Sequence, residues 1–292
     1  MTEWMFDAFL APFGEFEFMR RALVGGLALA LSGAPVGVFL ILRRMSLTGD
    51  AMAHAILPGA ALGFLVAGLS LGAMTIGGFI AGFVVAVASG AVARVTSLRE
   101  DASLAGFYLI SLALGVTIVS LKGTSVDLLH VLFGNVLALD DATLMLLAGI
   151  SSLTLLGLAA LYRALVIETV DPMFFASVSR AGGPTQIAFL VLVVMNLVAG
   201  FQALGTLLSV GIMMLPAASA RLWATNVTRM IAIAALIGAA SVYLGLVASY
   251  ESGAPSGPMI ILVAGAFHIL SVLFGRAGGI IRGLRPRQHL EA

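Results

Sequence analysis

Asp50 and His54 are the residues of this chain whose types and spacing could do chemistry. They stand four apart in Gly-Asp-Ala-Met-Ala-His-Ala-Ile-Leu-Pro-Gly (49–59), at the mouth of a long apolar run. Side chains at i and i+4 share one face of a helix. A carboxylate oxygen and a neutral imidazole nitrogen make a ligand set that suits zinc, manganese or ferrous iron. The competing reading is a hydrogen-bonded pair that merely settles two buried polar groups. Pro58 follows His54 by four residues, so it removes the backbone donor for the His54 carbonyl and opens the helix beside the pair; Gly59 comes next. Two ligands do not close a site, so the others must come from elsewhere in the bundle or from water.

The elements that position this pair must be membrane helices. Of 292 residues, 61% are hydrophobic and 10% charged, and the mean hydropathy is +1.12. Soluble domains run at about 45–50% apolar and about 25% charged, so this is an integral membrane protein. The formal net charge of +1 gives no reason to expect nucleic acid or an acidic partner. With no cysteine, disulfides, thiolate metal sites and cysteine nucleophiles are excluded. The single lysine, Lys122, lies in Ser-Leu-Lys-Gly-Thr, so the chain has no Gly-Lys-Ser/Thr loop with which to bind ATP.

A spanning helix needs about 20 mostly apolar residues. Runs of that kind fall at 21–42, 50–69, 72–94, 103–121, 142–164, 185–203, 205–220, 229–249 and 257–275. The expectation is an all-α bundle of nine spans, or eight if 185–220 is one broken helix. Cytoplasmic loops carry the Arg/Lys excess. With the N-terminus outside and the C-terminus in the cytoplasm, twelve of the fifteen basic residues fall inside, and only Arg20, Arg21 and Lys122 remain outside. A helix that starts just after Arg44 carries Asp50 about 9 Å and His54 about 15 Å along its axis at 1.5 Å per residue. That places His54 near the middle of a hydrocarbon core about 30 Å thick. A charge there costs at least about 2.5–3.5 kcal/mol and is by default a functional hypothesis. No soluble-domain linker or repeat interrupts the chain, so one membrane domain fills 1–292. Residues 1–19 lack the basic start of a secretory signal and could form an interfacial helix through Met5, Phe6, Phe9 and Leu10.

The other polar residues divide by position. His130, with Asp127, Asp140 and Asp141, belongs to an outer stretch that could draw in a cation or touch an extracellular partner, although an interfacial helix packed on the bundle is the simpler reading. His268 reads as a satisfied core histidine, and Asn196 and Gln202 as interhelical glue. The segment 166–183 is too polar to span. Glu168 and Asp171 precede Pro172, an arrangement that favours a helix start. Met173, Phe174, Phe175 and Val178 then supply an apolar face, followed by Arg180, with Gly182 and Gly183 ending the helix. Aromatics at the inner surface need something to cover them, either the bundle or a soluble partner.

The stretch RRMSLTGDAMAHAILPGAALGF (43–64) resembles the signature of ABC-transporter permeases for zinc, manganese and iron. LFGNVLALDDATL (132–144), GTLLSVGIMMLPAASARL (205–222) and SYESGAPSGPMIILVAG (249–265) are similar to three further blocks of that family, in the same order. The resemblance implies an all-helical permease of the vitamin-B12-importer kind, in the cytoplasmic membrane, working as a homodimer. Its implied partners are a cytoplasmic ATP-binding subunit and an extracytoplasmic metal-binding protein, with no covalently bound cofactor and a divalent metal ion as cargo. It implies metal contacts at Asp50 and His54, and ATPase coupling through 166–183, with Glu168, Asp171, Phe174, Phe175 and Arg180. The chain departs from the family pattern at Ala53, where a small hydroxyl residue usually precedes the histidine.

A siderophore or vitamin B12 permease would want a wide pathway without carboxylates, and Asp50 and His54 count against it. A secondary metal transporter would need no ATPase beside it. A zinc metalloprotease needs His-Glu-x-x-His, which is absent here. Catalysis in this subunit is therefore not expected.

Overall fold

The computed structural model describes residues 9–45, 47–68, 70–96, 100–121, 136–179 and 181–283. Apart from a short 3-10 turn at Val136–Ala138, every regular element in these residues is an α-helix. A short α1 (Ala11–Glu15) precedes α2 (Glu17–Leu42). Then follow α3 (Thr48–Ala55), α4 (Leu57–Ala67), α5 (Leu71–Val95), α6 (Glu100–Leu121) and α7 (Asp141–Val170). The chain continues through α8 (Pro172–Val178), α9 (Gly182–Leu204), α10 (Thr206–Arg221), α11 (Val227–Ser252), α12 (Ser256–Phe274) and α13 (Ile280–Gly283). Among the described residues seven helices are long and apolar enough to cross a membrane, with α3 and α4 counting as one, and Ala102–Ile118 and Thr206–Arg221 are shorter apolar helices. These nine coincide with the nine apolar runs of the sequence.

The stretch 185–220 is a pair of helices, and the reason is local. A Cβ on Gly200 would lie 2.6 Å from Ser209 Oγ, although a continuous helix would hold residues nine apart about 13.5 Å from each other. The chain reverses at Gly205, whose φ of 86° is one that residues with a Cβ rarely adopt. Gly68 and Gly253, also at positive φ, close the α4–α5 and α11–α12 connections.

Charged contacts fix the direction of the long helices. Arg21 reaches Asp141 at 2.9 Å near the starts of α2 and α7, and Arg43 reaches Glu168 at 2.6 Å near their ends. The two helices therefore run parallel. Helix α10 runs parallel to α2 as well, because Gly33 meets Met213 and Gly37 meets both Met213 and Ala217. Helix α9 opposes both. The core lies where α2, α9 and α10 meet, around Leu29, Phe39, Phe189, Leu197, Leu208 and Met213.

That core is crossed by a neutral polar cluster. Asn196 Nδ2 donates to Ser32 Oγ at 2.7 Å, and Ser32 Oγ lies 3.2 Å from Ser151 Oγ, which joins α9, α2 and α7. Thr75 Oγ1 donates to Gln202 Oε1 at 2.7 Å between α5 and α9. Asn196 and Gln202 thus do the interhelical work expected of them. His268 also has a partner, with Nδ1 3.1 Å from Ser219 Oγ. At the N-terminal end, Tyr243 donates to the Phe9 carbonyl at 2.7 Å and stacks on Phe13. The segment is tied to α11 there, while Met5 and Phe6 lie outside the described residues.

Candidate metal site

Asp50 and His54 share one face of α3, with Asp50 Oδ1 3.8 Å from His54 Nε2. Two ligands about 2.2 Å from one cation would sit at this separation with an open angle between them, a distance typical of oxygen or nitrogen bound to a divalent metal. Asp50 is 65% exposed and His54 27%. A carboxylate so open on an apolar bundle cannot face lipid without the cost of an unshielded charge. Water or another chain must cover it. His54 Nδ1 is buried and has no hydrogen-bond partner among the described residues.

The helix is interrupted next to the pair. Helix α3 stops at Ala55 and α4 begins at Leu57, while Ile56 keeps helical angles (φ −72°, ψ −28°). The direction of the chain is preserved and part of its hydrogen bonding is lost, as expected when a proline stands four residues beyond His54. Helix α6 supplies compensation: Ser111 Oγ donates to the Ala55 carbonyl at 2.9 Å. One turn away on the same helix, the Tyr108 ring stacks on the His54 imidazole, with centroids 6.5 Å apart and planes at 29°. Sequence reasoning missed Tyr108 and Ser111. Their i, i+3 spacing puts them on one face of α6, but only the tertiary fold brings that face to α3.

Gly59, beside Pro58 at the interruption, also sets how two helices pack. A Cβ on Gly59 would overlap the Gly77 carbonyl, and one on Gly77 would overlap the Gly59 carbonyl. The residue lets α4 and α5 touch backbone to backbone.

The segment 166–183 is divided among three helices. Glu168 belongs to the last turn of α7 and pairs with Arg43, with both side chains largely buried. It is an internal contact and not part of an exposed coupling surface. Asp171 caps α8 as the sequence suggested, accepting from Phe174 N at 2.8 Å. Phe174 is 56% exposed, and Met173 and Val178 are more so, whereas Phe175 is only 8% exposed and packs toward Gly182. The two phenylalanines expected on one open face point apart because neighbours on a helix are about 100° apart. Gly182 and Gly183 begin α9 and do not end α8. Arg180, Asp127 and His130 lie outside the described residues.

Among the described residues no group of three or more His, Cys, Asp or Glu side chains could hold a metal. Among the described residues Asp50 and His54 therefore stand as a pair on an open face. At the opposite end of the bundle, Asp140 caps α7. Hydrogen bonds from the Thr143 side chain and backbone hold its carboxyl below the ordinary carboxylate range.

A multi-pass all-helical bundle with a half-open carboxylate–imidazole pair at an interrupted helix defines a class, the membrane permease. The family model described as the ABC 3 transport family matches residues 15–275. The chain belongs to that family. It is 30% identical over 268 residues to the manganese import system permease protein ScaB of Streptococcus gordonii, covering 91% of this chain and 95% of that one. It is 31% identical to the manganese transport system membrane protein MntC of Halalkalibacterium halodurans, covering 98% and 97%. Its fold matches the solved structure of PsaBC from Streptococcus pneumoniae in complex with Fab, with a TM-score of 0.82 at 30% identity, covering 92% of this chain and 96% of that one.

Proposed function

We propose that this chain is the membrane-spanning subunit of an ATP-driven importer of a divalent transition-metal ion. Manganese is the first cargo to test, because the relatives above are named for it; zinc and ferrous iron accept the same donors. The observation that carries the reading is the Asp50–His54 pair, held on one helix face and open to whatever lies beside the bundle. A divalent ion that sheds water in a membrane needs replacement ligands. Asp50 offsets the cost of burying its charge, and His54 adds a directional nitrogen, which must be neutral to bind. A second copy of the chain would cover the exposed Asp50 and contribute its own pair, bringing four protein ligands to one ion.

The same reading sets the chain, one permease domain, in the bacterial cytoplasmic membrane with the N-terminus outside and the C-terminus inside. Helix α8 then faces the cytoplasm and offers Met173, Phe174 and Val178 to a separate ATP-binding subunit, an apolar helix face of the kind that docks in a groove. The opposite end receives the ion from an extracytoplasmic binding protein. ATP hydrolysis belongs to the partner subunit.

The test is uptake of radiolabelled manganese, zinc and iron by a strain deleted for this chain and complemented with it or with Asp50→Asn. The unaltered chain restores uptake of one of these metals, and Asp50→Asn does not, although it is present in the membrane in equal amount. Near-normal uptake per molecule of the variant would remove Asp50 from the pathway. Restoration of none of the three would remove the metal reading.

A further inference from the structure

Arg43 and Glu168 stand at the inner ends of α2 and α7, and neither touches the metal pair. Their contact is short, with Arg43 Nη2 2.6 Å from Glu168 Oε2, and the side chains are 10% and 15% exposed. The Arg43 guanidinium also lies over the buried Phe189 ring of α9, with Cζ 5.0 Å from the centroid. One cation therefore ties together three helices.

On each side, a short link joins this knot to a functional element. Glu168 is three residues from Asp171, whose carboxylate fixes the first turn of α8. In the other direction the chain leaves Arg43 through a closed turn. Arg44 N donates to the Ile41 carbonyl at 3.1 Å and Met45 N to the Leu40 carbonyl at 2.9 Å, with Arg44 at φ 59°. This pair of bonds is the double closure of a helix end that usually falls on glycine. An arginine holds that conformation only where its surroundings over-determine it. Helix α3 starts at Thr48, and Asp50 lies seven residues from Arg43.

A buried ion pair is a poor choice if stability is the only purpose. Desolvation of both charges offsets their attraction, and well-packed apolar replacements are often as stable or more so. What the guanidinium adds is a planar fork that fixes orientation. We infer that the Arg43–Glu168 pair, backed by Phe189, is a strut that carries displacement of α8 into α3 and so sets the position of Asp50 and His54. The inference rests on the proposed function, with α8 as the contact for the ATPase. Arg43 and Glu168 are positioning residues and do not touch the ion.

The experiment uses the complete permease–ATPase complex in liposomes, supplied with its binding protein, ATP and radiolabelled manganese, and reads manganese imported per ATP hydrolysed. The double variant Arg43→Met/Glu168→Met removes both charges together, so it leaves no unpaired buried ion. It enters the membrane like the unaltered chain and the complex hydrolyses ATP, but manganese imported per ATP falls at least about tenfold, within the roughly 5–150-fold range of site-to-site couplings. Arg43→Lys keeps the charge but loses the fork, and gives an intermediate ratio. An unaltered ratio in the double variant overturns the strut, as does a parallel fall of hydrolysis and import that tracks the amount of folded permease. If the unaltered complex imports no manganese, zinc or iron, the permease reading itself fails and the strut falls with it.

Discussion

Two of the polar clusters inside this bundle are built on opposite rules. Ser32, Ser151 and Asn196 are neutral, fully buried and bonded to one another across three helices. Asp50 and His54 carry or can carry charge, are partly open, and sit at a gap in helix hydrogen bonding. Neutral amides and hydroxyls bond to each other without leaving the field of a charge, even though Asn196 Oδ1 has no hydrogen-bond partner among the described residues, so a membrane protein can use them as adhesive. A carboxylate in the same setting is expensive and persists where something with positive charge passes. The difference teaches that charge on an open helix face marks the candidate site; burial, polarity and an unpaired polar atom alone do not.

The largest effect should come from breaking the working pair. His54→Ala removes the nitrogen ligand, and uptake per membrane-inserted molecule should fall by more than the roughly 10–100-fold seen when only an outer-shell partner is lost. Radiolabelled uptake normalised to immunodetected permease measures this. Abundance that fell in step with uptake would move His54 into the adhesive class. Next come the two adjacent phenylalanines of α8. Phe175→Ser opens a cavity in a packed position and should cost about 3–5 kcal/mol of stability. Phe174→Ser should leave the fold intact and weaken ATPase retention by about 2 kcal/mol, roughly 30-fold, as read by co-purification. Retention of the ATPase by the Phe174 variant at the unaltered level would place the docking surface elsewhere.

A smaller loss is expected when the adhesive cluster is cut. Asn196→Ala should cost about 0.6–1.7 kcal/mol, the span measured for hydrogen bonds between membrane helices, lowering thermal stability in detergent while uptake per molecule persists. A selective loss of uptake would dissolve the contrast between the clusters. The smallest effect belongs to Asp140. Its carboxyl is held below the usual range by Thr143, so its stabilising contribution is present above the unfolded carboxylate pKa and fades as pH falls through the folded one. The stability difference between the unaltered chain and Asp140→Ala should therefore be slight at neutral pH and shrink on acidification; a difference that grew in acid would contradict the sign.

Much of the architecture was legible because apolar run length is nearly sufficient to define a spanning helix. The Gly205 reversal was ambiguous only because so short a connection can close a hairpin or kink a rod. Asp50, His54 and Pro58 were legible because their partners are local, four residues apart along one helix. The contacts of Glu168 and Phe175 were hidden for the opposite reason. The partner of Glu168 is 125 residues away, and the inward turn of Phe175 follows from where α8 starts, which a run of adjacent apolar residues does not reveal. Tyr108 and Ser111 were invisible for the same cause, since their facing of α3 is decided by packing.

The seam between Gly59 and Gly77 has a mechanical consequence. Here carbonyl lies against α-carbon, and the nearest side chain, Ala81, adds only a methyl group between α4 and α5. Gly63 repeats the arrangement one turn on, against Ala73. A side-chain interface can slide through small rotamer steps, but a seam of bare backbone is either shut or parted by the width of a helix ridge. Movement that begins at the Ile56 gap would therefore carry α4 and α5 together as one body.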